Sequence, residues 1–449
     1  MTFTALRSGG AKLYAKMGPS WLAGAIAAGP ATMASLLTAG TSFGFALLWV
    51  VVLSAILGTF AQYLAMRLGL RTETGLVAAV ERHLGGGWAW LLVADAVLAA
   101  GLAQLVIMKG VADISATITG IDARIWGVAW ALVLAFGLAG GGYRVAELGA
   151  KLLVSAVVCA FIASLFVVPI DPSAAIAGLV PTMPAGLSGA LVVAGILGGA
   201  VHITLITMHS YTMRARGWTR DDTDIATTDI VASMFVAFGI YSLAIFLVAA
   251  SVLHGAVSPE GLTHVSASQA LGPLVGANAK WLFLLGLWGA AVSTLGGNTV
   301  VPPFLLADKL GWGTTVEDSR YRLLLAGFAL VSAVGPFVGG SFFPLLVLVL
   351  AFGLVGTPFA IAIVLALLND RRVVGETPAP WTNLGGVVLI CITVLTAGSF
   401  VRGHLATPGE PLSAFVLVFA AVLGTATLVV LGLAVRTALR EETPRAATQ

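Results

Sequence analysis

Two stretches of this chain place polar or helix-breaking residues where an apolar run should continue. The first, WLAGAIAAGPATMASLLTAG, has Gly29-Pro30 at its centre and Thr32 and Ser35 directly after. Proline supplies no N–H and its ring clashes with the preceding turn, so a helix kinks or opens there. The second, GGAVHITLITMHSYTMRARG, carries Gly198-Gly199 and then His202, Thr204, Thr207 and His209. An imidazole with several hydroxyls at mid-membrane depth is costly unless it faces a cavity or a polar partner. Taken singly, the first motif also reads as a packing kink, and His202 as an imidazole bonded to a neighbouring carbonyl.

The other buried polar groups are few. Asp95 in LLVADAVLAAGLAQL is the one acid deep in an apolar run, with Gln104 farther along it. An intramembrane acid is a candidate ion ligand, proton carrier or partner of a cation, against the alternative of a side chain reaching the membrane surface. Asn298 in STLGGNTVVPP either lines a cavity or caps a turn. Arg144 and Glu147 read as a structural pair at a helix end. The Arg320/Arg322 pair and the Asp221–Asp224 cluster read as solvated loop charge. Cys159 and Cys391 lack CxxC spacing and read as small core residues. No Walker loop or HExxH is present, which disfavours enzyme chemistry and leaves no resident cofactor implied.

The elements that must position these groups are set by composition. Of 449 residues, 59% are hydrophobic and 10% charged, and the mean hydropathy is +1.01. A soluble chain would carry about a quarter charged residues. Apolar runs of about 20 residues recur, each long enough for a hydrocarbon core of about 30 Å. Backbone groups in lipid must be satisfied internally, so such runs are helices, and the alternation of about 10-residue barrel strands is missing. Polar punctuation gives twelve spans near 19–43, 46–68, 88–111, 125–141, 150–169, 188–213, 229–253, 278–304, 321–339, 342–368, 384–401 and 412–436. The stretches 69–87 and 254–277 read as loops or short surface helices, so residues 1–449 form one membrane domain.

Cations tend to stay on the cytoplasmic side of a membrane protein. With the N-terminus inside, all of the 23 Lys and Arg except Lys109, Arg124, Lys280 and Arg402 fall on that side. This supports both the count and cytoplasmic tails at 1–18 and 437–449, with the chain in the plasma (inner) membrane. The net charge of +3 is scattered over short loops, so no nucleic-acid partner is implied; the lipid bilayer is. The two interruptions fall in spans one and six, five helices apart. Interrupted helices at corresponding positions of two oppositely oriented halves point to a transporter with inverted repeats and a midplane site.

GPSWLAGAIAAGPATMASLLTAGTSFGFALLWV resembles the first helix and following loop of the NRAMP family of divalent-metal transporters. YRVAE at 143–147, the stretch from Asn298 through PPFLLADKLGW, and PFAIAIVLALLNDRRVVGE at 358–376 continue the resemblance over nearly the whole chain. It implies an all-α LeuT-like fold: two inverted five-helix repeats at 19–169 and 188–368, plus about two added helices at 384–436. It also implies metal transport by alternating access. The family's Asp-Pro-Gly-Asn becomes Gly29-Pro30-Ala31-Thr32, and its Met-Pro-His-Asn becomes His202-Ile203-Thr204-Leu205. Asp95 matches the family's third-helix Asp, but the Glu three residues on is Leu98. Carried over by position, the substrate set is Ala28, Gly29, Thr32, Gly199, His202, Thr204 and Asn298. Thr32 and His202 are the candidate metal ligands, and Asp95 and His209 the candidate path for a coupling H+ or Na+. Without a carboxylate, such a site holds a 2+ ion weakly. The alternative is a small organic solute, an amino acid or carboxylate, on the same scaffold. The substrate's identity and the oligomeric state stay open at this point; a monomer is compatible with the sequence.

Overall fold

The computed structural model describes residues 29–140, 143–184, 187–375 and 378–442. Ala28, the N-terminal tail and the first half of the first predicted span lie outside these residues, as do the side chains of Arg144 and Glu147 and the chain end from 443. The described chain is helical. The principal helices are α1 (Pro30–Phe43), α2 (Leu48–Thr72), α3 (Leu76–His83), α4 (Gly86–Thr119), α5 (Ala123–Gly140), α6 (Tyr143–Ser164), α7 (Leu187–Ala200), α8 (Ile203–Ala215), α9 (Arg220–Val252), α10 (Ala279–Lys309), α11 (Ser319–Val331), α12 (Phe342–Asn369), α13 (Pro380–His404) and α14 (Pro411–Glu442). Eight helical stretches among the described residues are long and apolar enough to cross a membrane, and two shorter apolar helices cover 123–138 and 151–164.

Every predicted span finds a helix, with ends moved by a few residues. Span six is two helices, α7 and α8, and the ninth span ends in a tight 3₁₀ turn at Ser332–Phe337. The loop readings hold as well: 69–87 contains the short helix α3, and 254–277 is a series of one-turn helices. Helices α1 and α2 meet at a bend where Gly44 takes φ +54°. A Cβ there would press on the His254 ring, which is anchored by donating from Nδ1 to the Thr41 carbonyl at 2.9 Å.

With no water to drive helices together, close packing depends on small residues at the crossings. Helix α10 runs against α6 and α4, and Gly286 accepts the Val157 side chain of α6. Helix α12 is enclosed, packed against α7, α4, α13 and α14, and Gly198 of α7 lies directly on the Leu350 carbonyl. Large apolar side chains on the periphery stay exposed, among them Phe136, Leu395 and Leu428, as lipid contact requires. Cys159 and Cys391 belong to that periphery. Their reading as core residues is corrected: each sits in an apolar run, but on the outward face of its helix, which a run apolar all round does not reveal.

Candidate functional site

The helix breaks define the site. Gly29 is extended, with φ −67° and ψ −179°, and Pro30 begins α1 with no side chain among the described residues capping it. Proline suits the first helical position because the N–H it lacks has no partner there anyway. In the second break the helix does not part at Gly198-Gly199, which stay helical in α7; it parts at Val201-His202. His202 caps α8: its Nδ1 accepts from the Thr204 N–H at 3.4 Å and lies 2.8 Å from the Thr204 hydroxyl. The Val201 carbonyl, freed by the break, accepts from the Thr357 hydroxyl of α12 at 2.7 Å. The two glycines serve packing instead. A Cβ on Gly199 would stand 2.5 Å from Thr32 Oγ1, so glycine is what lets α7 approach α1.

Between the breaks lies a cavity of about 50 Å³. Gly29, Pro30, Ala31 and Thr32 line it from α1, Gly199, His202, Thr204 and Leu205 from α7 and α8, and Thr294 and Asn298 from α10. Ala103 and Ile107 of α4 and Leu350 of α12 complete it. Six of the seven sequence-predicted substrate residues thus meet in one place, the seventh being Ala28. Sequence reasoning missed Thr294, whose signal was its position one turn before Asn298 on the same face. The apolar lining residues carried no signal, being ordinary members of apolar runs.

Among the described residues no carboxylate lines the cavity. Among the described residues there is no group of three or more His, Cys, Asp and Glu able to hold a metal. His202 Nε2 is buried without a partner among the described residues, and Gly353 of α12 leaves the space its ring occupies. Asp95 is 1% exposed, and neither of its oxygens has a partner among the described residues. It fills the space left by Gly356, so the reading of a side chain reaching the surface does not apply. Gly353 and Gly356 are one turn apart, which puts His202 and Asp95 at neighbouring positions along one face of α12. His209, two turns beyond His202 on α8, is buried, and neither ring nitrogen has a partner among the described residues.

A multi-pass helical bundle with a small cavity between paired helix breaks has the LeuT-like fold. The overall fold agrees with solved structures of that class. The manganese transporter of Eremococcus coleocola, in complex with an aromatic bis-isothiourea substituted compound, superposes with a TM-score of 0.72 at 19% identity, covering 95% of this chain and 94% of that one. MhsT in complex with L-phenylalanine gives a TM-score of 0.53 at 16% identity, covering 84% and 98%. The chain belongs to the Nramp family, described as natural resistance-associated macrophage protein-like, which matches residues 20–402. It is similar to the divalent metal cation transporter MntH of Deinococcus radiodurans, 26% identical over 84% of this chain and 88% of that protein. It is also similar to the divalent metal cation transporter MntH 1 of Pseudomonas aeruginosa, at 28% identity over 86% and 92%.

Proposed function

We infer that this chain moves a divalent metal cation across the plasma membrane by alternating access, with the ion held in the cavity between α1, α8 and α10. The observation that carries this is the cavity's size and lining. About 50 Å³ exceeds the 10–15 Å³ or so that one water needs but falls well short of the roughly 150 Å³ of a cavity that admits benzene. It suits an ion with part of its hydration shell. Family membership and relatives named as divalent metal cation transporters point the same way. Gly29, Thr32, Gly199, His202, Thr204 and Asn298 form the binding set. Asp95 and His209, buried and without a partner among the described residues, form the path for a coupling H+ or Na+. With no acid in the first contact layer the ion's charge is not neutralised, so affinity is low.

A small organic anion is the second reading. It is favoured by the missing carboxylate and by the α1 N-terminus, which no side chain among the described residues caps and which favours negative charge. Uptake into proteoliposomes with a metal-quenched dye separates the two readings, with Mn²⁺, Co²⁺ or Mg²⁺ outside. The metal reading expects saturable quenching that His202→Ala diminishes and Gly29→Asp strengthens, since the new carboxylate supplies the missing charge. Absence of flux for all three ions, with the protein folded and inserted, sinks it in favour of the organic solute.

A further inference from the structure

The wall of the cavity on α10 carries a hydrogen-bond relay whose direction can be assigned atom by atom. Asn298 Nδ2 lies 2.7 Å from the Ala100 carbonyl oxygen and 3.1 Å from Gln104 Oε1, both on α4. A backbone carbonyl only accepts, so the Asn298 atom facing Ala100 is the amide nitrogen. Gln104 is fixed in the same way. Its Nε2 donates to Thr299 Oγ1 at 2.5 Å, and that hydroxyl spends its hydrogen on the Leu295 carbonyl at 2.6 Å. Gln104 Oε1 therefore accepts, and both N–H groups of Asn298 are committed to protein. What Asn298 has left is Oδ1, which has no partner among the described residues, on a side chain that lines the cavity. One turn earlier, Thr294 lines the same cavity from the same helix face.

We propose that Asn298 offers Oδ1 to the cavity as an oxygen ligand for a cation, that Gln104 is the positioning residue that holds the amide in this orientation, and that the site consequently selects hard divalent ions over soft ones. The proposal rests on the metal-transport reading and deepens it by naming the class of ion. An amide whose donors are all spent shows only lone pairs to the cavity, which attract a cation and repel an anion. The imidazole does not soften the site. Its Nδ1 is taken by Thr204, and its Nε2 is buried against α12 rather than open to the cavity. Oxygen donors suit Mg²⁺, Ca²⁺ and Mn²⁺, whereas soft ions gain their advantage from thiolate or thioether ligands.

The test uses the purified full-length chain in detergent and titrates Mn²⁺, Mg²⁺ or Cd²⁺ by calorimetry. Gln104→Met keeps the volume and removes both bonds, leaving the Asn298 amide free to turn. Gln104→Glu keeps an acceptor for Asn298 Nδ2, and the Thr299 hydroxyl can rotate to donate to its other oxygen, so the orientation survives. Gln104→Met should weaken Mn²⁺ binding by about 10- to 100-fold, the usual effect of losing a residue that orients a ligand. Gln104→Glu should bind at least as tightly as wild type, Asn298→Leu should match the Met variant, and Cd²⁺ should bind more weakly than Mn²⁺. Melting midpoints without metal report folding, and Asn298→Leu carries the test alone where Gln104→Met does not fold. Wild-type affinity in both Gln104→Met and Asn298→Leu, equal loss in the Met and Glu variants, or tighter binding of Cd²⁺ each overturns the proposal. Wild-type protein that binds none of the three ions overturns the transport reading itself, a different and separable failure.

Discussion

Gly356 of α12 has no room for a side chain, because a Cβ built there would fall onto the Asp95 carboxylate. Overpacking a tight interior costs about 1–3 kcal/mol. Gly356→Ala should therefore lower the unfolding midpoint, and Asp95→Ala should restore much of the loss by clearing the space. Residues in contact are expected to couple in this way, whereas separate sites add. Additive effects of the two substitutions in thermal unfolding would remove Asp95 from its place against α12. The same pair shows what single residues in the sequence reveal. Asp95, His202 and Asn298 were legible because each is a polar exception in an apolar run, and exceptions inside a membrane need a reason. Thr294 and Gln104 were harder to read. A threonine in a helix commonly bonds its own backbone, as Thr299 does here, and only the partner across α4 and α10 gives Gln104 its role.

At the scale of helices, α3, α8 and the end of α10 are tied together by one hydroxyl. Tyr211 donates to Asp308 Oδ2 at 2.7 Å and accepts from the Val77 N–H at 3.3 Å, while Ser210 accepts from the Leu76 N–H at 3.0 Å. Lys309 and Glu81 add an ion pair between α10 and α3 at 2.8 Å. Tyr211→Phe leaves a buried N–H and a carboxylate without this partner, at a cost of about 1–3 kcal/mol. Hydrogen exchange over residues 74–84 should accelerate roughly tenfold or more, since 1.4 kcal/mol is a factor of ten. Unchanged exchange there would mean that α3 is held by Ser210 and Lys309 alone. The helices were legible from the length of their apolar runs. The manner of the second break was not: Gly198-Gly199 looked like the interruption, yet these glycines serve close packing while His202 caps the new helix. The π-helical stretch Val231–Phe238 within α9 left no mark either, because its sequence is simply apolar.

For the molecule as a whole, the distribution of charge and the number of crossings make one joint prediction. The stretch from the last turn of α8 to the first residue of α9 holds Arg214, Arg216 and Arg220, whereas the connection after α9 holds Glu260 and no Lys or Arg before Lys280. Cationic loops are retained in the cytoplasm, so the first connection is placed inside and the second outside. A single crossing, α9, separates them. The native thiols Cys159 and Cys391 are exposed on the bundle's periphery, so they are replaced by alanine first. Arg216 and Glu260 are both exposed, and Arg216→Cys and Glu260→Cys are then introduced singly. A membrane-impermeant maleimide applied to intact cells should label the cysteine at 260 and spare the one at 216, and lysed cells should label both. The reverse pattern would invert the orientation and move the termini outside. Labelling of both in intact cells would mean that α9 does not cross, and with it the pairing of two oppositely oriented halves around the cavity would fail. The experiment therefore tests the premise on which the inverted repeat depends: α9 is the second crossing of the 188–368 half, and two oppositely oriented halves can pair around the cavity only if it crosses.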